Sequence, residues 1–235
     1  MPIIQTKNYK ELSKQAANLI IEEIRKKPNL TMCFATGKTP LLTYNLLTKA
    51  YKNKQISFSK IKAFNLDEYY PINPANKQSY SYYMHKNLFN HINIKQSNIN
   101  LLNGEATNPK QECKQYNSKL SKNPLDIQIL GVGVNGHIGF NEPNSSINSK
   151  TRLVSLSSQT KKINKTNNTK ALTIGIKNIL SAKKILLLAS GKSKANAIKQ
   201  LIENKNITSK YPITYLKHHK NLILIIDKAA ASALR

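Results

Sequence analysis

The sequence predicts a single doubly wound α/β domain, in which a mostly parallel β-sheet carries helices on both faces. Short apolar runs alternate along the chain with amphipathic segments of ten or more residues, which is the pattern of parallel βαβ units. A length of 235 residues suits one large domain. No internal repeat and no Gly/Ser-rich or Pro-rich linker divides the chain. We therefore expect residues 1–235 to form one domain.

The predicted elements follow from the spacing of apolar residues. Strands are expected where short apolar runs end at turn residues, and helices where apolar residues recur about every 3.6 positions. The predicted strands are residues 30–35, 61–66, 125–130, 171–174, 184–189 and 222–226. The predicted helices are residues 9–27, 41–51, 79–90, 109–120 and 194–203. Segments 144–150 and 161–170 are polar, and we interpret residues 144–170 as a mobile lid.

The charge of the chain is strongly positive, and it suggests a polyanion-binding protein as one alternative. Lys and Arg number 37 and Asp and Glu number 11, for a formal charge of +26. The basic residues are scattered Lys, apart from Arg25, Arg152 and Arg235. A nucleic-acid groove usually shows a basic stripe with Arg or interleaved aromatic residues. We therefore expect no specific nucleic-acid partner.

Cysteine content and apolar run lengths indicate the compartment. Cys33 and Cys113 are too few for a disulfide framework, which favours a reducing environment. The first residues contain no continuous apolar segment typical of a signal peptide. The longest apolar runs, residues 185–189 and 222–226, are too short to span a bilayer. We expect a cytoplasmic protein without a membrane partner.

The turn Thr36-Gly37-Lys38-Thr39-Pro40, called here the TGKTP turn, follows the first predicted strand and precedes a helix. In doubly wound folds, ligands bind at the carboxyl ends of the strands. A strand-to-helix turn there offers backbone N–H groups to an anion. The alternative is an ordinary tight turn with a Thr cap, because the Walker spacing is absent.

Asp67 and Glu68 follow the second predicted strand. In an extended backbone, adjacent side chains point in different directions, so one carboxylate can face a site while the other is structural. A carboxylate shielded from water has the raised pKa that a general base needs. A helix cap or a surface salt bridge is the alternative.

Residues 131–143 (GVGVNGHIGFNEP), the glycine-rich loop, are the most informative stretch. The loop holds His137, Glu142 and Asn135. A carboxylate beside an imidazole fixes its tautomer and stabilises its protonated form, so the pair can relay protons. One His and one Glu fall short of a metal-ligand set, so no metal is expected.

Two of these stretches carry a resemblance to a known family. Residues 64–69 (FNLDEY) and the glycine-rich loop resemble the signatures of the glucosamine-6-phosphate deaminases. Weaker matches are residues 100–104 (NLLNG), 171–176 (ALTIGI) and 190–195 (SGKSKA). The motifs occur in the family's order, and the resemblance covers about residues 9–227. It implies a Rossmann-like fold shared with sugar-phosphate isomerases and lactonases.

The resemblance implies conversion of glucosamine 6-phosphate and water to fructose 6-phosphate and ammonia, without a redox cofactor. It assigns Asp67 as the base that moves a proton from C2 to C1. His137 would open the pyranose ring, assisted by Asn135 and Glu142.

The phosphate would be held by a second set of residues. The resemblance places Thr36, Gly37, Lys38 and Thr39 around it, together with Lys194. A phosphate handle supplies binding energy away from the reacting carbons.

Departures from the family pattern leave alternatives open. Lys38 stands where a second Gly is usual, so it either adds a cation or blocks backbone approach. Segment 161–170 is shorter than the usual lid and lacks the expected Arg. Effector-activated members carry Lys where this chain has Val154, and a longer C-terminal extension. We therefore expect hyperbolic kinetics and a monomer or small homo-oligomer. A sugar-phosphate isomerase or lactonase, and a non-catalytic sugar-phosphate sensor, remain alternatives.

Overall fold

The computed structural model describes residues 1–234 and contains two β-sheets. The larger sheet has seven strands, all paired in parallel. Its strands are β1 (Ile3–Thr6), β2 (Thr31–Phe34), β3 (Lys62–Asn65), β5 (Ile99–Asn100), β6 (Ile127–Gly131), β9 (Ile185–Ala189) and β10 (Leu222–Asp227). The smaller sheet consists of β4 (Asp67–Tyr70), β7 (Arg152–Ser155) and β8 (Lys170–Thr173).

Seven α-helices lie within the described residues. They are α1 (Tyr9–Lys26), α2 (Leu41–Lys52), α3 (Tyr80–Asn87), α4 (Pro109–Lys122), α5 (Ser158–Asn164), α6 (Ile176–Leu180) and α7 (Ala195–Ile202). Helix α1 illustrates why they form: Leu12, Ala16, Ile20 and Ile24 recur on one buried face, and the side chain of Asn8 accepts a hydrogen bond from Glu11 N–H. No helix within residues 1–234 is both long and apolar enough to cross a lipid bilayer.

The order of strands in the large sheet is β1-β10-β9-β6-β2-β3-β5. From β2 the chain moves outward to β3 and β5, then returns to β6 and moves the other way to β9 and β10. The order therefore reverses between β2 and β6, which is where doubly wound folds bind ligands. The predicted fold class is confirmed.

The small sheet was not predicted from the sequence. Its three strands pair in antiparallel fashion, in the order β4-β8-β7. The predicted strand 171–174 corresponds to β8, which therefore does not belong to the parallel sheet, contrary to expectation. Antiparallel partners can come from distant short segments, and local periodicity cannot reveal such pairing. Asp67 begins β4 and pairs with Thr173.

Several short elements also lie outside the predicted ones. Strands β1, β5 and β7 and helix α6 have five residues or fewer. Segment 161–170 was predicted to be a loop, but helix α5 occupies part of it. Only Thr160 is buried in α5, so the helix has no apolar stripe to recognise.

Candidate active site

Three loops meet where the strand order reverses. They follow β2, β6 and β9, which are neighbours in the large sheet. Because parallel strands lie about 4.8 Å apart, the outer two loops are separated by about 10 Å. One small ligand can therefore contact all three loops.

The TGKTP turn presents free backbone donors. Gly37 adopts a φ of 94°, in the left-handed region. Within residues 1–234, the N–H groups of Gly37, Lys38 and Thr39 bond to no protein acceptor. Three successive free N–H groups form a concavity suited to an anion. Anion binding by this turn stays a prediction, and the Lys38 side chain lies exposed on the surface.

Two tyrosines that the sequence did not single out hold this turn. The Tyr9 hydroxyl donates to Lys38 O at 2.9 Å and accepts from Leu42 N–H at 3.1 Å. The Tyr83 hydroxyl donates to Gly37 O at 2.6 Å. Helices α1 and α3 therefore fix the carbonyl groups of the turn.

Residues 190–194 form the loop after β9 and lead into α7. Asp227, at the end of β10, accepts hydrogen bonds from Ser190 Oγ at 2.5 Å and from Gly191 N–H at 3.1 Å. Lys194 is half-buried, and burial lowers the pKa of its ammonium group. This loop therefore places a half-buried cation after β9.

Glu68 is structural. Its carboxylate accepts hydrogen bonds from Ser79 Oγ at 2.7 Å and from the N–H groups of Tyr80 and Ser81, each at 2.8 Å. These donors lie at the start of α3, so Glu68 caps that helix. Of the two adjacent carboxylates, Glu68 is therefore the one with a structural role.

Asp67 faces the glycine-rich loop instead. Its side chain is buried, and burial, followed by the like charge of Glu68, raises the pKa of Asp67 to about 8. A Cβ atom placed on Gly139 would lie 3.6 Å from Asp67 Oδ2. Asp67 is therefore a buried carboxylate beside the loop that carries His137.

The raised pKa of Asp67 predicts a pH-dependent stability difference between the wild type and Asp67→Asn. The unfolded chain releases this proton near pH 3.8 and the folded chain near pH 8, so the folded state binds more protons between these values. The contribution of Asp67 to stability is complete below pH 3.8 and is lost as pH rises to 8. Thermal unfolding should show the wild type losing stability relative to the variant across this window. A constant difference would contradict the burial of an ionisable Asp67.

His137, Glu142 and Asn135 form a connected group within the glycine-rich loop. Glu142 Oε2 lies 3.6 Å from His137 Nδ1 and accepts a 2.8 Å hydrogen bond from Asn135 Nδ2. Asn135 Oδ1 accepts from His137 N–H at 3.2 Å. Gly133 lies against the imidazole, and a Cβ atom there would overlap the ring. Catalytic hydrogen bonds are often long in a free enzyme and tighten around substrate.

Glu142 is held in its ionised form. Burial would raise its pKa, but the neighbouring His137, with hydrogen bonds from Thr160 and Asn135, lowers it to about 2. An ionised carboxylate favours a protonated imidazole, so the pair can accept and return a proton. Among residues 1–234, no group of three or more His, Cys, Asp or Glu side chains is placed to hold a metal ion.

Three further residues support this loop, and no sequence motif indicated their roles. The Arg152 guanidinium donates to Asn141 Oδ1 at 2.8 Å and to Ser145 Oγ at 3.3 Å. Ser157 and Thr160, on either side of the start of α5, contact Glu142. Polar contacts between distant segments produce no periodic pattern of residue types, so they cannot be detected in the sequence.

Comparison with known proteins identifies the family of this chain. A model of the family "Glucosamine-6-phosphate isomerases/6-phosphogluconolactonase" matches residues 5–224. A glucosamine-6-phosphate deaminase of Clostridium botulinum is 48% identical over 243 aligned positions, covering 100% of this chain and 99% of the relative. The chain belongs to the glucosamine-6-phosphate deaminase family. A deaminase of a Thermoanaerobacter species is 47% identical, covering 100% of this chain and 95% of the relative.

Solved structures place the fold in the same group. The structure of a monomeric glucosamine-6-phosphate deaminase matches with a TM-score of 0.96 at 40% identity, covering 99% of this chain and 100% of the other. A 6-phosphogluconolactonase of Trypanosoma brucei matches with a TM-score of 0.84 at 18% identity, covering 100% and 98%. The lactonase likeness concerns the fold alone. The family predicted from the two motifs is confirmed.

Proposed function

We propose that this protein is a glucosamine-6-phosphate deaminase, which converts glucosamine 6-phosphate and water to fructose 6-phosphate and ammonia. The observation that carries the proposal is one arrangement: the buried carboxylate of Asp67 lies against the same loop that holds the His137–Glu142 pair. Opening a sugar ring and moving a proton between carbons require two separate bases. Family membership and the 48% identical deaminase support the same reaction.

The phosphate group binds first in this scheme. The free N–H groups of the TGKTP turn, with the hydroxyls of Thr36 and Thr39, take its oxygens, and Lys194 adds a positive charge. Lys161 and Lys162 on α5 are candidates for the charge of the missing Arg. Each would act as a point charge, without the paired donors of a guanidinium.

His137 then opens the ring. The O1 hydroxyl proton leaves through the imidazole, O5 receives a proton, and the C1–O5 bond breaks to give an aldehyde at C1. Glu142 stabilises the imidazolium that forms in between, and Asn135 orients Glu142.

Asp67 next removes the proton from C2. The released electron pair forms a C1–C2 double bond while O1 takes a proton from the ammonium group on C2, which gives an enolamine. Return of the proton from Asp67 to C1 leaves an imine at C2. Water adds to that imine and ammonia leaves, so C2 becomes the ketone of fructose 6-phosphate.

The test is incubation with glucosamine 6-phosphate while ammonia and fructose 6-phosphate are measured together. Equal amounts of the two products support the proposal. Absence of ammonia, with aldose-ketose conversion of a sugar phosphate that carries no amino group, would instead indicate an isomerase. Ring-opened phosphogluconate from the lactone would indicate a lactonase, and saturable binding without product would indicate a sensor.

We further propose a cytoplasmic monomer or small homo-oligomer, with no specific nucleic-acid partner and no membrane partner. The solved relative described as monomeric supports this. A charge of +26 opposes close packing of identical subunits, although salt weakens the effect.

We expect hyperbolic kinetics without activation by N-acetylglucosamine 6-phosphate. Allostery requires a second site and two states that bind the effector differently. Arg152, the basic residue that could serve such a site, is bonded to Asn141 and Ser145, and Val154 supplies no charge. Substrate-saturation curves with and without the acetylated sugar phosphate, beside light scattering, check this. A sigmoidal curve that the acetylated compound makes hyperbolic would contradict it.

A further inference from the structure

The carboxylate of Glu142 is shared between two parts of the molecule. One oxygen, Oε2, faces Asn135 and His137 within the glycine-rich loop. The other oxygen, Oε1, accepts hydrogen bonds from Ser157 Oγ at 3.2 Å and from Thr160 Oγ1. The orientation of the carboxylate toward His137 therefore depends on hydroxyls outside the loop.

Both hydroxyls belong to the start of helix α5. Ser157 is the N-cap residue, and its Oγ accepts from Thr160 N–H at 3.1 Å. The two hydroxyl oxygens lie 3.0 Å apart, so the single Ser157 proton is available to Thr160 or Glu142. The capping group of α5 is thus also the binding partner of Glu142.

Thr160 is the one buried residue of this helix within the described chain. Five of its seven residues are exposed: Ser158, Gln159, Lys162, Ile163 and Asn164. Helices normally dock through several apolar residues. In α5 the buried residue instead contacts Glu142 through a hydrogen bond from its hydroxyl to the carboxylate. The positions of α5 and of Glu142 are therefore coupled.

We propose that Thr160 and Ser157 are positioning residues for ring opening, because their hydroxyls hold Glu142 with its second oxygen toward His137. This inference rests on the proposed deaminase function and refines its first chemical step. In the present position of α5, both hydroxyls lie within hydrogen-bonding distance of Glu142; a displaced α5 would remove both. The start of α5 therefore makes the His137–Glu142 relay dependent on the position of this helix.

The test separates ring opening from proton transfer at carbon. The first readout is ammonia release from glucosamine 6-phosphate, which needs both steps. The second is exchange of the C1 hydrogen of fructose 6-phosphate with solvent deuterium in the presence of ammonia. That exchange needs the proton transfer at carbon but not opening of the pyranose ring.

Thr160→Val keeps the shape of the side chain and removes its hydroxyl. Ammonia release should fall about tenfold, the size expected for one hydrogen bond to a charged group, while deuterium exchange changes less than twofold. Thr160→Ser should restore most of the release. The matched control is Thr166→Val, since the Thr166 hydroxyl contacts Gln78 and Asn168 rather than Glu142.

Each outcome bears on one of the two proposals. If wild-type protein releases no ammonia, the proposed function fails and this inference falls with it. If the wild type is active and Thr160→Val matches it, the positioning role alone is overturned. An equal loss in both readouts, or a loss that Thr160→Ser does not restore, overturns it as well, because simple destabilisation would act in that way.

Discussion

Asp67→Asn should lower kcat by about 10²–10⁴, the usual contribution of a general base. The amide keeps the shape of the carboxylate and cannot accept the C2 proton. Since Asp67 lies beside Gly139 and outside the loops proposed to bind phosphate, phosphosugar affinity should change little. Ammonia release measures the first effect and calorimetric titration with fructose 6-phosphate the second.

Asp126→Asn is the matched control for this variant. Asp126 directly precedes β6, at the amino-terminal end of the parallel strands and so opposite the candidate site, and its carboxylate pairs with Lys27 and Lys183. The same chemical change there should leave kcat unaltered. Near-normal turnover by Asp67→Asn would refute the assignment of the carbon base.

His137→Gln should lower ammonia release by about a hundredfold or more, since an amide cannot carry a proton between O1 and O5. The loss should be confined to the opening of the ring. Deuterium exchange at C1 of fructose 6-phosphate should therefore persist at a substantial fraction of the wild-type rate.

The surface residue His91 provides the comparison, because its ring bonds only to the Lys86 carbonyl in the described structure. His91→Gln should behave as wild type in both assays. If His137→Gln loses release and exchange to the same extent, His137 acts in more than ring opening.

The sequence predicted that one of the carboxylates of Asp67 and Glu68 can face a site while the other is structural, and it left open which is which. Alternation of side chains along an extended backbone is a local property, so adjacent carboxylates had to diverge. Which of them became the helix cap depended on where α3 starts, and the structure places Ser79 and its neighbours against Glu68. The proximity of His137 and Glu142 was likewise predictable, because both lie in one short loop.

Contacts between distant segments were not predictable in this way. Thr160 is a polar residue in a polar stretch, and only the folded chain brings it to Glu142. The pairing of β4 with β8 joins segments about a hundred residues apart, through strands of four residues each. Resemblance to a family implies roles only for the residues within its motifs. Residues elsewhere in the chain that hold those motifs in place can be identified only from the three-dimensional structure.

The two tyrosines on the TGKTP turn have a consequence for the cost of ligand binding. A trans peptide unit is planar, with its carbonyl and N–H pointing in opposite directions. By holding the carbonyls of Gly37 and Lys38, Tyr83 and Tyr9 fix the direction of the following N–H groups, of Lys38 and Thr39, which point away from the two hydroxyls. These peptide planes cannot flip while both hydroxyls are bonded. The anion therefore meets dipoles that are already aligned, and little orientational entropy is lost when it binds.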